Sequence, residues 1–149
     1  MSISATNKQA FRDYFILQTF EAGIELRGSE VKSIRDGRVN LKDSFARIDE
    51  EQVYLYNTHI SAYQQASYLN VEPTRARRLL LHKREIRKLI AETSQKGLAI
   101  IPLKMYFNAK GMVKVELAIG KGKKFYDKRD DIKKREVARK ISSALRRRR

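Results

Sequence analysis

The clearest hydrophobic pattern in this chain is an alternation of period two just before residue 120. Four apolar side chains alternate with polar or small ones, as in a strand that has one buried and one wet side. The apolar positions are Val113, Val115, Leu117 and Ile119. We therefore predict a hairpin in which Leu98–Phe107 and Met112–Ile119 are joined by a turn at Asn108–Gly111.

Two further regions upstream carry strand signals. Tyr14–Leu26 is rich in β-branched and aromatic residues and is interrupted by Gly23. This composition favours one long, bent strand, with a bulge or a barrel corner at the glycine. Leu41–Ile48 and Val53–Ile60 are predicted to pair as a second hairpin around Asp49–Gln52.

Two segments carry helix signals. The segment from Gly28 to Gly37 is predicted to be a short helix, with Ser29 as its N-cap and the final glycine at its C-terminal exit. Lys83–Lys96 places apolar side chains at i, i+3, i+4 and i+7, the period of an amphipathic helix. Residues 61–78 show no sustained period, so we interpret them as a long loop.

Together these elements predict a mainly β fold with peripheral helices. About six non-parallel strands joined by short turns favour an OB-like closed antiparallel β-barrel. We assign residues 1–122 to the barrel and residues 123–149 to a basic C-terminal tail. Gly120-Lys121-Gly122-Lys123 lacks the spacing of a P-loop, and we interpret its glycines as a flexible hinge.

Composition narrows the class of protein. The 42% hydrophobic content is enough for one sizeable core, and the absence of cysteine excludes disulfides and thiolate metal sites. The longest apolar runs, such as Leu98–Leu103, are far shorter than a membrane span, and the N-terminus lacks a signal-peptide core. We therefore expect a cytoplasmic protein without a membrane partner.

The charge distribution points to a polyanionic partner. The net charge is +16, and the stretch from Lys121 to Arg149 holds 14 lysines and arginines against four acidic residues. A second basic region lies upstream, where positive side chains precede and occupy the first turns of the helix at Lys83–Lys96. It contains Arg75, Arg77, Arg78, Lys83, Arg84, Arg87 and Lys88. Contact with a nucleic-acid backbone is one interpretation and an ordinary solvated basic face is the other.

The search for catalytic chemistry finds little. His59 and His82 are far apart in sequence and have no cysteine to activate. Asp127, Asp130 and Asp131 have no EF-hand spacing and fit better as solvated residues near a helix start. We predict no enzymatic activity, no metal and no cofactor. Exposed aromatic side chains offer surfaces for base stacking, although strand aromatics are more often structural; the candidates are Tyr54, Tyr56, Tyr106 and Phe107.

The basic tail carries an apolar stripe of helical period. It consists of Val137, Ile141, Ala144 and Leu145. A lone helix of this length is marginal in water, and its like charges repel. A disordered solubilising tail is one interpretation. A tail that folds only against a polyanion is the other, and the stripe favours it.

Three segments, in order and spacing, resemble the SmpB family, the SsrA-binding (tmRNA-binding) proteins of bacterial trans-translation. They are Glu21–Phe45, Pro73–Ile86 and Gly120–Glu136. The resemblance implies an OB-like barrel that binds the tRNA-like domain of tmRNA. It also implies delivery of alanyl-tmRNA, together with elongation factor Tu, to stalled ribosomes. A ribosome-associated structural RNA-binding protein is the alternative.

The same resemblance implies the site residues. RNA contacts are expected at Glu21, Leu80, His82 and Lys114. Other members of the predicted RNA-binding set come from the basic segments: Arg75, Arg77, Arg78, Lys83, Arg84, Lys121, Lys123 and Lys124. The tail, disordered when free, is expected to become helical in the small-subunit decoding centre and the empty mRNA channel. Its predicted contact residues are Asp127, Lys128, Arg129, Lys133, Lys134, Arg135, Arg139, Lys140 and Ile141.

Overall fold

A computed structural model describes residues 2–63, 71–94 and 97–123 of the chain. The strands in this part are β1 (Ser2–Thr6), β2 (Tyr14–Ile24), β3 (Val39–Asn40), β4 (Phe45–Asp49), β5 (Gln52–Tyr56), β6 (His59–Ile60), β7 (Arg77–Leu80), β8 (Leu98–Phe107) and β9 (Val113–Gly122). The helices are α1 (Lys8–Asp13), α2 (Gly28–Arg35) and α3 (Lys83–Thr93).

Six of these strands close into an antiparallel barrel. The ring runs β8-β4-β5-β7-β2-β9 and returns to β8, because β8 and β9 also pair with each other. Strand β1 is added to the ring along β8, and β3 and β6 form a small separate sheet. The prediction of a closed, mainly β barrel with peripheral helices is confirmed.

The barrel interior is filled by the apolar members of the alternating strands. In β9, Val115, Leu117 and Ile119 are buried and face the core together with side chains of β5 such as Val53 and Leu55. Removing such side chains from water is the main favourable contribution to folding. The polar residues that alternate with them, such as Lys114 and Glu116, lie on the outer surface of the sheet.

Several local predictions need correction. The predicted loop at residues 61–78 ends in a strand, since Arg77 and Arg78 open β7. The predicted strand Leu41–Ile48 is interrupted, because Leu41 lies between β3 and β4. Two N-terminal elements, β1 and α1, have no counterpart in the sequence-based prediction. In α1, the side-chain oxygen of Asn7 accepts a hydrogen bond from the Ala10 N–H and caps the helix.

The predicted glycine hinge is wrong. Gly120 and Gly122 belong to β9, where Gly120 pairs with Ile16 of β2 and Ala99 of β8. A Cβ atom at Gly120 would lie 3.1 Å from the side chains of both Ile101 and Tyr14. A glycine suits this position because neighbouring side chains approach the backbone closely, and a Cβ atom here would force them to shift by a few tenths of an ångström.

Candidate nucleic-acid interface

An open groove of about 580 Å³ lies on the outer surface where β7, β2 and β9 run side by side. Its lining includes the four positions at which RNA contact is expected, Glu21, Leu80, His82 and Lys114. Strand pairing explains the convergence, because Gly23 at the centre is paired with Leu80 on one side and Lys114 on the other. We call this feature the β2 groove.

Gly23, which has no side chain, lies in β2 between the groove residues Leu80 and Lys114. Here β2 passes from its pairing with β9 to its pairing with β7, which agrees with the predicted barrel corner. The register shift in β2 occurs instead between Ile16 and Gln18, so the predicted bulge at the glycine is misplaced. A Cβ atom at Gly23 would lie 3.2 Å from Leu80 Cβ, and the side chain of Leu80 covers this position with 44% of its surface exposed.

The carboxylate of Glu21 stands at one end of the groove. Its Oε2 atom accepts a hydrogen bond from the hydroxyl of Tyr106, whose side chain is buried. Glu116, directly opposite Glu21 on β9, is paired with Lys104, whose Nζ lies 3.1 Å from its Oε2. The sequence-based prediction gave Glu21 an RNA contact and did not identify the tyrosine as its partner within the protein.

His82 lies at the rim of the groove, at the N-cap of α3. Its backbone N–H donates to Glu85 Oε1 over 3.3 Å, and the residue as a whole is exposed. The strand β7 ends just before it, at Leu80. The end of a strand and the start of a helix therefore fix where the imidazole can reach.

A buried ionic cluster underlies the neighbouring part of β7. Arg77 is fully buried, and its Nε lies 2.6 Å from Glu30 Oε2. Arg75 Nη2 lies 2.5 Å from Glu30 Oε1. The remaining Arg77 nitrogens donate to backbone oxygens, Nη1 to Thr58 at 2.7 Å and Nη2 to Pro73 at 2.9 Å. We call Glu30, Arg75 and Arg77 the Glu30 cluster.

This cluster corrects part of the predicted RNA-binding set. Arg77 has no exposed surface, and each of its three guanidinium nitrogens donates a hydrogen bond within the protein, so the structure does not support its prediction as an RNA contact. The side chain of Arg75 is 26% exposed and is tied to the same carboxylate. Burial opposes ionisation of Glu30, but hydrogen bonds from Arg75, the Arg27 backbone and Arg77 outweigh it and lower the pKa of Glu30.

The other basic residues fall into two separate places. Arg78, Lys83 and Arg87 line a second depression of about 430 Å³, next to the β2 groove and beside α3, and Glu50 and Glu51 line it too. The Arg84 side chain is exposed on the same helix. Lys121 and Lys123 are elsewhere: seven residues of strand, about 23 Å, separate Lys121 from Lys114. The Nζ atom of Lys123 donates to the backbone oxygen of Phe11 over 3.1 Å.

The aromatic candidates are largely structural. Tyr106 is buried, and the ring of Tyr56 stacks on Phe45 with centroids 5.5 Å apart. The Arg35 guanidinium lies 5.7 Å from the centroid of Phe107.

Lys124 and the whole predicted tail set fall outside the described residues; that set is Asp127, Lys128, Arg129, Lys133, Lys134, Arg135, Arg139, Lys140 and Ile141.

Two further classes of site were sought. Among residues 2–63, 71–94 and 97–123, no group of three His, Asp or Glu side chains is arranged to hold a metal ion. Of the helices in this part of the chain, none has the length and apolarity needed to cross a membrane.

Comparison with known proteins identifies the family. A family model described as SmpB protein matches residues 4–147. The chain belongs to the SmpB family. Its SmpB-family relatives include the SsrA-binding protein of Thermosipho africanus, 56% identical over all of both chains. Another is the SsrA-binding protein of Thermosipho melanesiensis, 58% identical over 97% of this chain and 99% of the relative.

A solved structure agrees with this SmpB assignment. It is described as "tmRNA-SmpB: a journey to the center of the bacterial ribosome" and superposes with a TM-score of 0.69. The two chains are 50% identical, and the match covers 80% of this chain and 83% of the other. The resemblance expected from the sequence is confirmed at the level of family and fold.

Proposed function

We propose that this SmpB-family chain is an RNA-binding ribosome-rescue factor that binds the tRNA-like domain of tmRNA through the β2 groove. One observation carries the proposal: strand pairing brings Glu21, Leu80, His82 and Lys114, spread over the length of the chain, into one open groove. A groove with an acceptor, a cation and an apolar surface side by side suits RNA better than a small metabolite.

Each group in the groove has a distinct use toward RNA. Lys114 provides a point charge for a phosphate, which adds affinity without reading sequence. A carboxylate such as Glu21 repels phosphate, so it must accept hydrogen bonds from a base or a 2′-hydroxyl. The exposed Leu80 beside Gly23 offers an apolar surface against which a ribose or an unstacked base can pack. Arg78, Lys83 and Arg84 extend the contact along the backbone.

The wider role proposed here follows the family. The relatives are SsrA-binding proteins, and the matched structure is of tmRNA–SmpB and the bacterial ribosome. We place this chain in the cytoplasm, where it delivers alanyl-tmRNA with elongation factor Tu to stalled ribosomes. The basic tail would occupy the decoding centre and the empty mRNA channel. The chemistry of peptide transfer belongs to the ribosome, and this protein acts by binding and positioning.

The groove is tested by comparing two lysines. Lys114 lines the groove, whereas Lys42 is exposed elsewhere and does not. Lys114→Ala should weaken binding to the tRNA-like domain with little change in melting temperature, and Lys42→Ala should change neither. The measurement is a filter-binding titration with the tRNA-like domain and with an unrelated RNA hairpin of equal length. Equal loss for both lysines, or equal wild-type affinity for both RNAs, would refute the proposed site.

The tail is tested by truncation after Lys124 and by Ile141→Pro. Both variants should retain tmRNA binding and lose peptide tagging on stalled ribosomes, the second because proline disrupts a helix interior. Co-sedimentation with ribosomes tests the alternative that the chain is a ribosome-associated structural protein. Such a protein should bind ribosomes stoichiometrically whether or not they are stalled, whereas a rescue factor should be enriched on stalled ribosomes. Normal tagging by the truncated protein would contradict the role proposed for the tail.

A further inference from the structure

We propose that Tyr106 is a positioning residue of the β2 groove, whose hydroxyl holds the Glu21 carboxylate away from Lys114 so that RNA meets a free acceptor and a free cation. The inference rests on the proposed function and adds to it the residue that keeps the two charges apart. Tyr106 itself is buried and is not one of the residues that line the groove.

The hydrogen bond between Tyr106 and Glu21 spans a strand. Tyr106 stands on β8 and Glu21 on β2, and β9 runs between these two strands. On β9, Lys114 is the cross-strand partner of Tyr106, and Glu116 is the partner of Glu21. The tyrosine therefore reaches across β9, and the carboxylate that it holds has a cation and another carboxylate as near neighbours.

The surrounding charges determine where Glu21 would go without this bond. Glu116 lies directly opposite Glu21, and like charges in that position repel. Lys114, one pleat further along β9, would attract the carboxylate. Within the described residues, Lys114 takes part in no ion pair, while Glu116 is already paired with Lys104. Releasing Glu21 therefore favours an ion pair with Lys114, which would engage both charges with each other and leave neither available to a ligand.

The tyrosine is well suited to hold this position at all physiological pH values. Burial, together with the hydrogen bond and the charge of Glu21, raises the pKa of Tyr106 above its usual range. Its hydroxyl thus remains a donor, and a carboxylate acceptor makes a stronger hydrogen bond than a neutral group does. The ring is fixed by its burial, so the hydroxyl presents one geometry to Glu21.

The test is the salt dependence of RNA binding. Each phosphate contact contributes roughly 0.7–0.9 to the slope of log K against log salt concentration, so the change in slope between two variants counts the cations that have stopped contacting phosphate. In Tyr106→Phe, Glu21 should pair with Lys114, lowering the steepness by about one and weakening binding about three- to tenfold. A loss of structure alone would lower affinity without removing one unit of slope and would also lower the melting temperature.

A second substitution provides the rescue. In Tyr106→Phe combined with Glu21→Gln, the neutral amide has no charge with which to hold Lys114, so the wild-type slope should return. Tyr56→Phe removes a hydroxyl outside the groove and should leave slope and affinity unchanged. Glu21→Gln alone should also keep the slope, because the neutral amide forms no ion pair with Lys114.

The outcomes separate this inference from the proposed function. If Lys114→Ala reduces the slope but Tyr106→Phe leaves both slope and affinity unchanged, the positioning role is wrong and the RNA groove remains. A slope that falls in Tyr106→Phe and stays low in the double variant also overturns the positioning role. If neither Lys114→Ala nor Glu21→Ala affects RNA binding, the groove is not the site and both proposals fail.

Discussion

The Glu30 cluster and the β2 groove both combine a carboxylate with cationic side chains, for opposite purposes. In the cluster, two arginines share one buried carboxylate, and each guanidinium nitrogen of Arg77 donates a hydrogen bond within the protein. In the groove, the Lys114 charge has no ion-pair partner among the described residues, and Glu21 is held by a neutral hydroxyl. The comparison shows that burial and partner saturation, more than residue type, separate a structural charge from one available to a ligand.

The largest change in stability is expected when the carboxylate of the Glu30 cluster is removed. Glu30→Ala would leave two arginines without their shared partner, one of them buried, and should lower the free energy of unfolding by about 3–5 kcal/mol. Glu25→Ala is the matched control, since Glu25 is 64% exposed and pairs with the exposed Arg78 at 3.2 Å. That control should cost at most about 1 kcal/mol. Urea unfolding followed by circular dichroism measures both, and equal losses would contradict the contrast.

Acid should weaken the cluster in a defined pH range. The folded-state pKa of Glu30 lies below its ordinary value of 4.5, so the carboxylate binds protons less readily when folded than when unfolded. Its contribution to stability is therefore complete above pH 4.5 and is lost as the pH falls through the folded-state pKa. Urea midpoints measured across this range should fall more steeply for the wild type than for Glu30→Gln. Parallel curves would show that the cluster does not control acid stability.

A smaller effect is expected at the centre of the groove. Gly23→Ala would place a Cβ atom 3.2 Å from Leu80 Cβ, which should cost about 1–3 kcal/mol and displace the leucine. Binding to the tRNA-like domain should weaken as well. Gly28→Ala is the control, because a Cβ atom there meets nothing within 4 Å. Unchanged RNA affinity in Gly23→Ala would show that the position of Leu80 does not matter for binding.

The smallest expected change in stability comes from Arg78, the neighbour of the buried Arg77. Its side chain is 44% exposed, so Arg78→Ala should lower the free energy of unfolding by less than about 1 kcal/mol. If Arg78 contacts a phosphate, the same substitution should reduce the salt slope of RNA binding by about one. Thermal melts and salt titrations on one preparation measure both quantities. An unchanged slope would remove Arg78 from the RNA-binding set.

The sequence predicts those parts of the fold in which polarity follows burial. The alternation from Val113 to Ile119 identified β9 because its inward positions are apolar. Strand β7 has the same alternation, with Arg77 and Leu79 inward and Arg78 and Leu80 outward. It was missed because an arginine occupies an inward position. Only contact with Glu30, 47 residues earlier, makes that burial possible, and no local pattern records such a contact.

Some residues of the candidate site could likewise be predicted from the sequence, and others could not. The positions of Glu21, Leu80, His82 and Lys114 came from the resemblance to the SmpB family, and the structure brings them into one groove. The Tyr106 hydroxyl that holds Glu21 was not foreseen, because the two residues are 85 positions apart and meet only when the barrel closes. The exclusion of Arg77 likewise depended on knowing its burial.

The pairing of β2 with β9 also has a consequence for how the protein is made. Tyr14 pairs with Gly122, so β2, near the start of the described chain, cannot complete its pairing until β9, near the end, is available. Contacts between such distant segments slow folding, because the intervening chain must first be ordered. During synthesis, β2 therefore emerges with its β9-facing edge unpaired, and such an edge can pair with another chain. The nascent protein is exposed to misassembly until the ribosome has completed β9.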